Sequence, residues 1–430
     1  MQKLHWSSFL LGAALSVSAC TTADDAVTFH ADVRPIIEGR CVGCHQQGGV
    51  APFALETFEQ IHAHREAIRS SVMKREMPPW LATDDCNDYL GDVSLTDEQI
   101  DTIARWVDQG AEAGDPQDMP GALAPPEDQR LSRVDLTLEM PVAYQPSKTP
   151  DDYRCFLLDW PETETKFVTG FGANPGNSTI VHHMIAFLVP PEKASEYVAL
   201  DAAEEGAGYT CFGGPGGGSD RNVNWLGAWA PGGLGYDQPP GTGIQVEPGS
   251  KIVLQMHYNA LSSSDEPDRS SIDLKLDATV DRPARVMPFA NPAWVNFGSM
   301  EIPAGEEDVM HRFELDVTSF QQEPRPFTIY SGSLHMHLLG ERSRLWINRK
   351  DGTKTCIVNI DRWDFDWQFS YRLKDKLRFE PGDELALECH WDNSEKNQPV
   401  IDGQRLTMRD ANWGEGSTDE MCLGILYVSQ

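Results

Sequence analysis

The chain has 430 residues, with 35 Lys and Arg against 66 Asp and Glu, so its formal net charge is −31. A charge of this sign repels phosphate backbones and acidic membrane surfaces, so nucleic acid is not expected as a partner. At roughly 100–200 residues per domain, the length allows about three domains, each large enough to bury a core.

The first twenty residues have the pattern of a secretory leader. Lys3 gives a weak positive start, an apolar stretch follows, and small residues precede Cys20. Residues 17–20, Val-Ser-Ala-Cys, resemble a bacterial lipobox, in which the cysteine becomes the lipidated first residue of the mature protein. An ordinary cleaved leader is the alternative, but a cysteine there has no other evident use. Residues 1–20 are therefore predicted to be a lipoprotein signal peptide, which places the mature chain in the bacterial periplasm or on the outer membrane, held only by a lipid anchor.

Residues 41–45 form a Cys-x-x-Cys-His run. In an exported chain this run is the attachment signature of c-type haem, with thioethers at Cys41 and Cys44 and His45 in one axial position. The alternative is a redox Cys-x-x-Cys pair that happens to precede a histidine. The run predicts one covalently attached haem c.

A second axial ligand is expected downstream of the haem motif. Met77 is the candidate, because Pro78 and Pro79 fix φ and stiffen the loop that presents its sulfur. Met73 is the alternative, although its position is that of a plain helical methionine.

A well-marked helix is predicted to close this region. Thr96 and Gln99 form a capping box, and Gly110 ends the helix. One apolar face lies between them, made of Ile100, Ile103, Trp106 and Val107. Such a helix resembles the last helix of small class I cytochromes c, so residues 28–118 are predicted to be a small all-α cytochrome c domain. Residues 119–133 contain three prolines and are predicted to be a linker.

From residue 134 onward, short apolar or alternating segments are bounded by Gly, Pro, Asn and Asp, as in residues 251–258 and 344–347. Long helical periodicity is absent. This pattern is typical of antiparallel β-sandwiches, and the remaining length is enough for two of them.

Three groups of histidines stand out in this half. His182 and His183 are adjacent in a strand-like run, where neighbours point to opposite faces, so they can share a metal only at a strand end or a bulge. His335 and His337 have the easier geometry, since residues i and i+2 of a strand share a face. His257 stands alone, and a lone histidine in a strand is by default a core residue.

Four motifs together resemble one family, the ascorbate-dependent copper monooxygenases, which include peptidylglycine α-hydroxylating monooxygenase and dopamine β-monooxygenase. The motifs are His182-His183-Met184, Leu254-Gln255-Met256-His257-Tyr258, His335-Met336-His337 and Asp419-Glu420-Met421-Cys422. Their order and spacing match the family, and their joint occurrence is far more specific than any one motif. The resemblance implies two consecutive jelly-roll-like sandwiches, residues 134–281 and 282–430.

The resemblance also implies two copper ions. The electron-storing copper would be held by His182, His183 and His257. The oxygen-binding, catalytic copper would be held by His335, His337 and Met421. Imidazole suits both copper oxidation states, and a thioether favours Cu(I), the state that meets O₂. Met184 and Met336 are interpreted as packing residues.

Cysteine usage indicates an oxidising compartment. Apart from the lipobox cysteine and the two haem-motif cysteines, six remain, an even number that allows three bridges in 15 pairings. The resemblance implies Cys155–Cys211 and Cys389–Cys422. Cys86 and Cys356 remain by subtraction, and their pairing, which would join the haem domain to the second sandwich, stays open on sequence alone.

The chain departs from the peptide-amidating members of the family. Those members hold the substrate carboxylate with an arginine before the His-x-His motif and with an asparagine and a tyrosine after the Met-Cys pair. The corresponding residues are Ser333, Leu423 and Ile425. A neutral or apolar, non-peptide substrate is therefore expected.

These features predict an exported haem- and copper-containing monooxygenase that hydroxylates a C–H bond of a small molecule with O₂. The electrons, from an external donor with ascorbate as one candidate, would pass from the haem to the first copper and then to the second. One alternative is a non-enzymatic electron-transfer or copper-handling lipoprotein, which the six suitably filled ligand positions argue against. Another is a binding module with structural metals.

Overall fold

The computed structural model describes residues 26–47, 51–121, 131–148, 151–211, 214–216, 223–230, 233, 235–259, 266–401 and 403–430. The predicted signal peptide with Cys20 lies outside the described residues, and so does most of the predicted linker. No helix in the described part of the chain is long and apolar enough to cross a membrane.

The N-terminal part of the described chain is helical. Its elements are a π-helix (Phe29–Val33), α1 (Arg34–Arg40), α2 (Phe58–Met73), α3 (Asp97–Asp108) and a 3-10 turn (Pro116–Asp118). Capping boxes begin α2 at Thr57 and α3 at Thr96. The helix predicted after Thr96 is therefore present, and its buried face packs Ile103, Trp106 and Val107 into one apolar core with the other helices.

Most of the remaining chain is β-structure. The strands are, in order, β1 (Tyr89–Leu90), β2 (Leu136–Glu139), β3 (Asp151–Asp159), β4 (Lys166–Asn174), β5 (Val181–Val189), β6 (Tyr209–Thr210), β7 (Asn224–Trp229), β8 (Tyr236–Asp237), β9 (Thr242–Val246), β10 (Lys251–Asn259), β11 (Ser271–Asp277), β12 (Arg282–Phe289), β13 (Val309–Leu315), β14 (Phe327–His335), β15 (Gly340–Asn348), β16 (Lys354–Ile360), β17 (Tyr371–Phe379), β18 (Glu384–Trp391), β19 (Val400–Ile401), β20 (Gln404–Arg405) and β21 (Leu423–Ser429). Short helices interrupt them, α4 (Ala194–Ala203) and α5 (Pro292–Phe297), with 3-10 turns at Pro191–Lys193 and Glu395–Asn397.

Among the described residues these strands form four sheets. A five-stranded sheet has the order β6-β3-β10-β5-β7, and a four-stranded sheet has the order β13-β18-β15-β16. The largest sheet runs β1-β17-β14-β21-β12-β9-β4-β11-β2, with β8 on β4, and the smallest is β19-β20. The pairing is antiparallel except for the short β9–β12 contact. The predicted antiparallel sandwich class is thus confirmed. The largest sheet contains strands from both predicted sandwiches, residues 134–281 and 282–430.

Two apolar cores lie under these sheets. The first packs side chains of the five-stranded sheet against those of β4, β9 and β11, and the second packs the four-stranded sheet against β14, β17 and β21. Met184 is fully buried in the first core and Met336 in the second. Both methionines are therefore packing residues, as expected. Met184 directly follows His183, and Met336 lies between His335 and His337.

Three disulfides join distant parts of the chain, Cys155–Cys211, Cys389–Cys422 and Cys86–Cys356. The first two are the pairs that the family resemblance implied, and the third is the pair that the sequence left open. Cys389–Cys422 fixes the residue that follows Met421 to β18.

Residues 80–90, inside the region predicted as a cytochrome domain, pack on the second sandwich. Ala82 and Tyr89 are buried in its core, and β1 pairs antiparallel with β17. The Cys86–Cys356 disulfide lies in the same contact. The helical region is therefore held against the second half of the chain by a covalent bond, a strand pair and apolar packing.

Candidate metal centres

The first histidine group lies where β5 and β10 meet. His183 pairs with His257 across these strands, and the register shifts between His257 and Tyr258. His182 is the second residue of β5. The adjacent histidines therefore occupy a strand end beside an irregular pairing, which is the condition that the sequence set for sharing a metal.

Three imidazoles converge in this first cluster. The Nδ1 atoms of His182, His183 and His257 lie 3.2–3.3 Å from one another. Lone pairs on three nitrogens at this separation repel unless a proton or a cation lies between them. Three converging imidazole nitrogens, of which that of His257 is on a buried side chain and the other two are on half-buried ones, suit a copper or zinc ion, so the donor set fits the metal that the family resemblance implied.

A carboxylate fixes the orientation of one of these rings. His257 Nε2 donates to Asp151 Oδ1 at 2.8 Å, while Asp151 Oδ2 accepts from Ser417 Oγ at 2.6 Å. Tyr153 stacks on His257 with its ring centroid 4.2 Å away. A proton held on Nε2 leaves Nδ1 as a lone pair that faces the cluster.

Burial disfavours the charged form of two rings in the first cluster, those of His182 and His183. It lowers the pKa of His182 to about 3, helped by the neighbouring charge of His257. Burial also lowers the pKa of His183 well below its usual value. For Asp151, burial acts to raise the pKa, but hydrogen bonds from His257 and Ser417 hold it below the usual range. Neutral imidazoles beside a carboxylate are the protonation states that metal binding requires.

The second histidine group lies at the end of β14. The Nε2 atoms of His335 and His337 are 3.2 Å apart. The other ring nitrogens donate outward, His335 Nδ1 to Gln368 Oε1 at 2.5 Å and His337 Nδ1 to the Asp419 carbonyl at 3.2 Å. These partners leave both Nε2 lone pairs facing each other, which is again a pair of metal donors. Burial lowers the pKa of both rings.

A fully buried carboxylate organises the backbone around this second group. Glu420 accepts hydrogen bonds from the backbone N–H of His337 at 3.0 Å, the backbone N–H of Leu339 at 2.7 Å and Trp391 Nε1 at 2.8 Å. Burial raises the pKa of Glu420 to about 8, although these three hydrogen bonds oppose the shift. Glu420 therefore ties the segment before β21 to the His-x-His segment.

Met421 follows Glu420 directly and is only 6% exposed. Among the residues that the structure describes, no hydrogen bond joins its sulfur to the ring of His335 or His337. Its backbone is nevertheless fixed on both sides, by Glu420 and by the Cys389–Cys422 disulfide. The structure thus brings the Met421 segment to the second cluster.

Side chains that the sequence did not single out connect the two clusters. The Phe365 ring stacks on His182 with centroids 4.9 Å apart and meets His337 edge-on at 6.0 Å. Ser417 reaches Asp151 from the other half of the chain. Phe365 and Ser417 lie in loops and belong to no sequence motif. Their contacts with the histidine clusters could therefore be found only from the three-dimensional structure.

The haem-motif residues lie in the turn after α1. The backbone N–H groups of Cys44 and His45 donate to the Cys41 carbonyl, so the motif forms one helical turn. His45 Nδ1 lies 3.0 Å from the Phe53 carbonyl oxygen, which accepts its proton and leaves Nε2 free. Burial, with the neighbouring charge of Cys44, raises the pKa of the Cys41 thiol to about 12, and burial raises the pKa of Cys44.

Met77 is partly buried beside the helical core. It lines a cavity of about 290 Å³ together with Val72, Leu95, Ile100 and Trp80. Within the described part of the chain, no hydrogen bond joins Met77 to His45. Met73, the alternative ligand, is 52% exposed.

Comparison with known proteins identifies both halves of the β-structure. Residues 136–265 match the sequence profile of the copper type II ascorbate-dependent monooxygenase, N-terminal domain. Residues 295–429 match the profile of the C-terminal domain of the same family. The two matches flank the junction that we expected near residue 282.

Individual relatives agree with this result. Human DBH-like monooxygenase protein 1 is 26% identical over 210 residues, which is 46% of this chain and 32% of that protein. Human dopamine beta-hydroxylase is 27% identical over 266 residues, 59% of this chain and 39% of that protein. Tyramine beta-hydroxylase of Caenorhabditis briggsae is 30% identical over 101 residues, 23% of this chain and 15% of that protein.

The chain spans between 15% and 47% of the length of these relatives, which is less than half in each case. Among solved structures, the crystal structure of BuGH86wt in complex with neoagarooctaose aligns with a TM-score of 0.18 at 10% identity, over 64% of this chain and 34% of that chain. With both domain profiles matched in order along one chain, the protein belongs to the copper type II ascorbate-dependent monooxygenase family.

Proposed function

We propose that the protein is a copper monooxygenase that hydroxylates a C–H bond of a small molecule. The reaction consumes the substrate, one O₂, two electrons and two protons, and it yields the alcohol and one water. The observation that carries the proposal is the pair of buried histidine clusters whose free ring nitrogens converge, placed on either side of Phe365 in a chain that contains both family domains.

The first cluster would hold one copper through His182, His183 and His257. The second would hold another through His335, His337 and Met421. Bound copper would supply one-electron redox chemistry and an O₂ site, and the thioether of Met421 would favour Cu(I). The protein's own contribution is to orient the rings of His257, His335 and His337, whose outward nitrogens donate to Asp151, Gln368 and the Asp419 carbonyl.

The surface beside the second cluster favours a neutral or apolar substrate. Leu423 pairs with His335 across β14 and β21, and Ile425 pairs with Ser333 two residues further along. Paired residues at this spacing share one face of the sheet, so all four side chains lie together. The face beside His335 thus presents two aliphatic groups and one hydroxyl, which suits an uncharged molecule with little polar surface.

We further propose that the helical region binds haem c through Cys41 and Cys44, with His45 and Met77 as axial ligands. The helical turn of the motif and the free Nε2 of His45 support the attachment and the first axial ligand, while Met77 is proposed from the sequence, because Pro78 and Pro79 fix the loop that presents its sulfur. A Met77→Ala variant should lose the sulfur-to-iron absorption band and become more easily oxidised, since thioether ligation raises the potential. An unchanged band would assign the axial position to Met73 instead.

Export is proposed from the three disulfides, which persist in oxidising compartments. The predicted signal peptide and lipidation at Cys20 extend this proposal to a bacterial lipoprotein. Mass spectrometry of the mature N-terminus tests it, because lipidation adds acyl chains to Cys20. A mature chain that still contains residues 1–20 would contradict it.

The function is tested with reduced, copper-loaded protein. A substrate screen by mass spectrometry should find a product heavier by one oxygen atom, with matching oxygen uptake. Met421→Ile should abolish oxygenation and leave one copper of the pair in place, and X-ray absorption of the Cu(I) form should lose its sulfur scatterer. Copper-loaded protein that consumes no oxygen with any substrate would support the electron-carrier alternative, and sulfur still bound in Met421→Ile would refute that ligand.

A further inference from the structure

One short segment touches the helical region and both histidine clusters. The bridging segment, residues 362–369, follows β16 and precedes β17. At one end, the Arg362 guanidinium donates to the carbonyls of Lys74 and Arg75 at 2.9 and 2.6 Å. Lys74 and Arg75 lie three and two residues before Met77.

The same segment contacts both clusters directly. Gln368 Oε1 accepts from His335 Nδ1 at 2.5 Å, and its amide donates to the Phe365 carbonyl at 2.8 Å. The Phe365 ring lies against His182 and His337. In addition, Trp363 Nε1 donates to the His337 carbonyl at 3.2 Å. A single loop therefore contacts residues of both clusters.

An aromatic contact completes the connection to the helical region. Trp80 stacks on Phe369 with centroids 6.4 Å apart, and both rings are partly buried against the core of the second sandwich. Trp80 follows Met77 by three residues, and Phe369 is bonded to Gln368. From Met77 to His335 the connection thus consists of covalent bonds, one ring contact and one hydrogen bond.

We propose that the bridging segment is the electron path from the helical region to the second cluster, so that electrons reach His335 before the first cluster. This rests on the proposed function, in which the helical region carries haem. With haem and copper bound, each transfer would oxidise one ferrous haem to ferric and reduce one Cu(II) to Cu(I), and an external one-electron donor would then reduce the haem again. The sequence alone had indicated the opposite order, with the first cluster reduced first.

The proposed path is favourable because bonded or packed atoms connect Trp80 to His335 without a gap. Electron transfer through protein weakens steeply wherever bonded or packed atoms are interrupted, and the Trp80–Phe369–Gln368 connection has no such interruption before His335. The Cys86–Cys356 disulfide and the β1–β17 pair hold the contact in place. Transfer therefore needs no diffusive docking of the helical region.

The test follows haem oxidation without oxygen or substrate, so that catalysis is not the readout. Protein with Cu(II) in both sites is mixed anaerobically with less than one equivalent of a one-electron reductant, and the reduced haem band is followed by stopped flow. Trp80→Leu should slow its decay by about tenfold or more, equivalent to about 1.4 kcal/mol of activation free energy. Trp367→Leu is the matched control, since among the described residues Trp367 stacks on Phe369 at 6.2 Å and makes no ring contact with Trp80 or a cluster histidine.

A second variant tests the order. In a Phe365→Leu protein, which loses the ring contact with His182 and keeps the Trp80–Phe369–Gln368 connection, haem oxidation should keep its wild-type rate. Loss of that oxidation would overturn the proposed order, and an unchanged rate in Trp80→Leu would overturn the path. A wild-type protein whose haem stays reduced beside Cu(II) would instead refute the haem-to-copper function as a whole, so the two failures are distinguishable. Copper content and melting temperature of each variant exclude misfolding as the cause.

Discussion

Replacing Asp151 with asparagine should weaken copper binding at the first cluster without dismantling it. Asp151 accepts the Nε2 proton of His257 at 2.8 Å and the Ser417 hydroxyl at 2.6 Å. Asparagine keeps the shape and can still accept from His257, but the hydrogen bond loses its charge, and charged hydrogen bonds are roughly twice as strong as neutral ones. Changes to such carboxylate partners of metal-bound histidines typically cost about 10–100-fold in affinity, or about 1.4–2.7 kcal/mol.

The assay is a competition titration of Cu(I) against a chromophoric chelator. A His335→Ala/His337→Ala background removes the second site, so that the titration reports the first cluster alone. Ser417→Ala is the matched control, because it removes the other hydrogen bond of Asp151 and leaves the His257 contact in place. Wild-type affinity in Asp151→Asn, or an equal loss in Ser417→Ala, would refute the argument that the carboxylate acts through His257.

Three further outcomes follow from the fold. Glu420→Ala should lower the free energy of unfolding by about 3 kcal/mol or more, because three buried N–H donors lose their acceptor at about 1–3 kcal/mol each. Urea titration measures this difference, and a loss well below about 3 kcal/mol would contradict the role of Glu420. A Cys86→Ser/Cys356→Ser variant should lose about 2–4 kcal/mol, seen as a lower calorimetric melting temperature, and an unchanged temperature would show that the disulfide is dispensable. Burial acts to raise the pKa of Asp383, but hydrogen bonds from the Glu380 N–H and Arg349 outweigh it and hold the pKa below the unfolded value of 3.8. The stability that Asp383 contributes is therefore present above pH 3.8 and is lost as the pH falls through the folded pKa. Asp383→Asn should make the free energy of unfolding fall less steeply with acid in urea titrations between about pH 2 and 6, and an unchanged slope would count against this role.

The histidine geometry was predictable because strand periodicity is a local property. His335 and His337 share a face by their spacing, and adjacent His182 and His183 required a strand end or an irregular pairing, which the register shift at His257 supplies. The helix after Thr96 was likewise predictable, since its capping box and apolar face lie within a dozen residues.

The supporting residues were not predictable in the same way. Phe365, Gln368 and Ser417 carry no motif, and their roles depend on contacts between segments far apart in the chain. Residues 80–90 were assigned to the helical domain by sequence continuity, yet the core that buries Tyr89 belongs to the second sandwich. Such pairings depend on long-range packing, which no local pattern encodes.

The position of β21 determines when the second cluster can form. This strand lies between β12 and β14, although it follows both along the chain by a long stretch. Until β21 is synthesised, the edges of β12 and β14 that pair with it have no partner there. Pairings between strands so far apart in the chain form slowly. Glu420 and Met421 arrive together with this strand, so a nascent chain cannot assemble the second donor set early. The complete donor set of this cluster therefore forms only after the C-terminal strand has paired with β12 and β14.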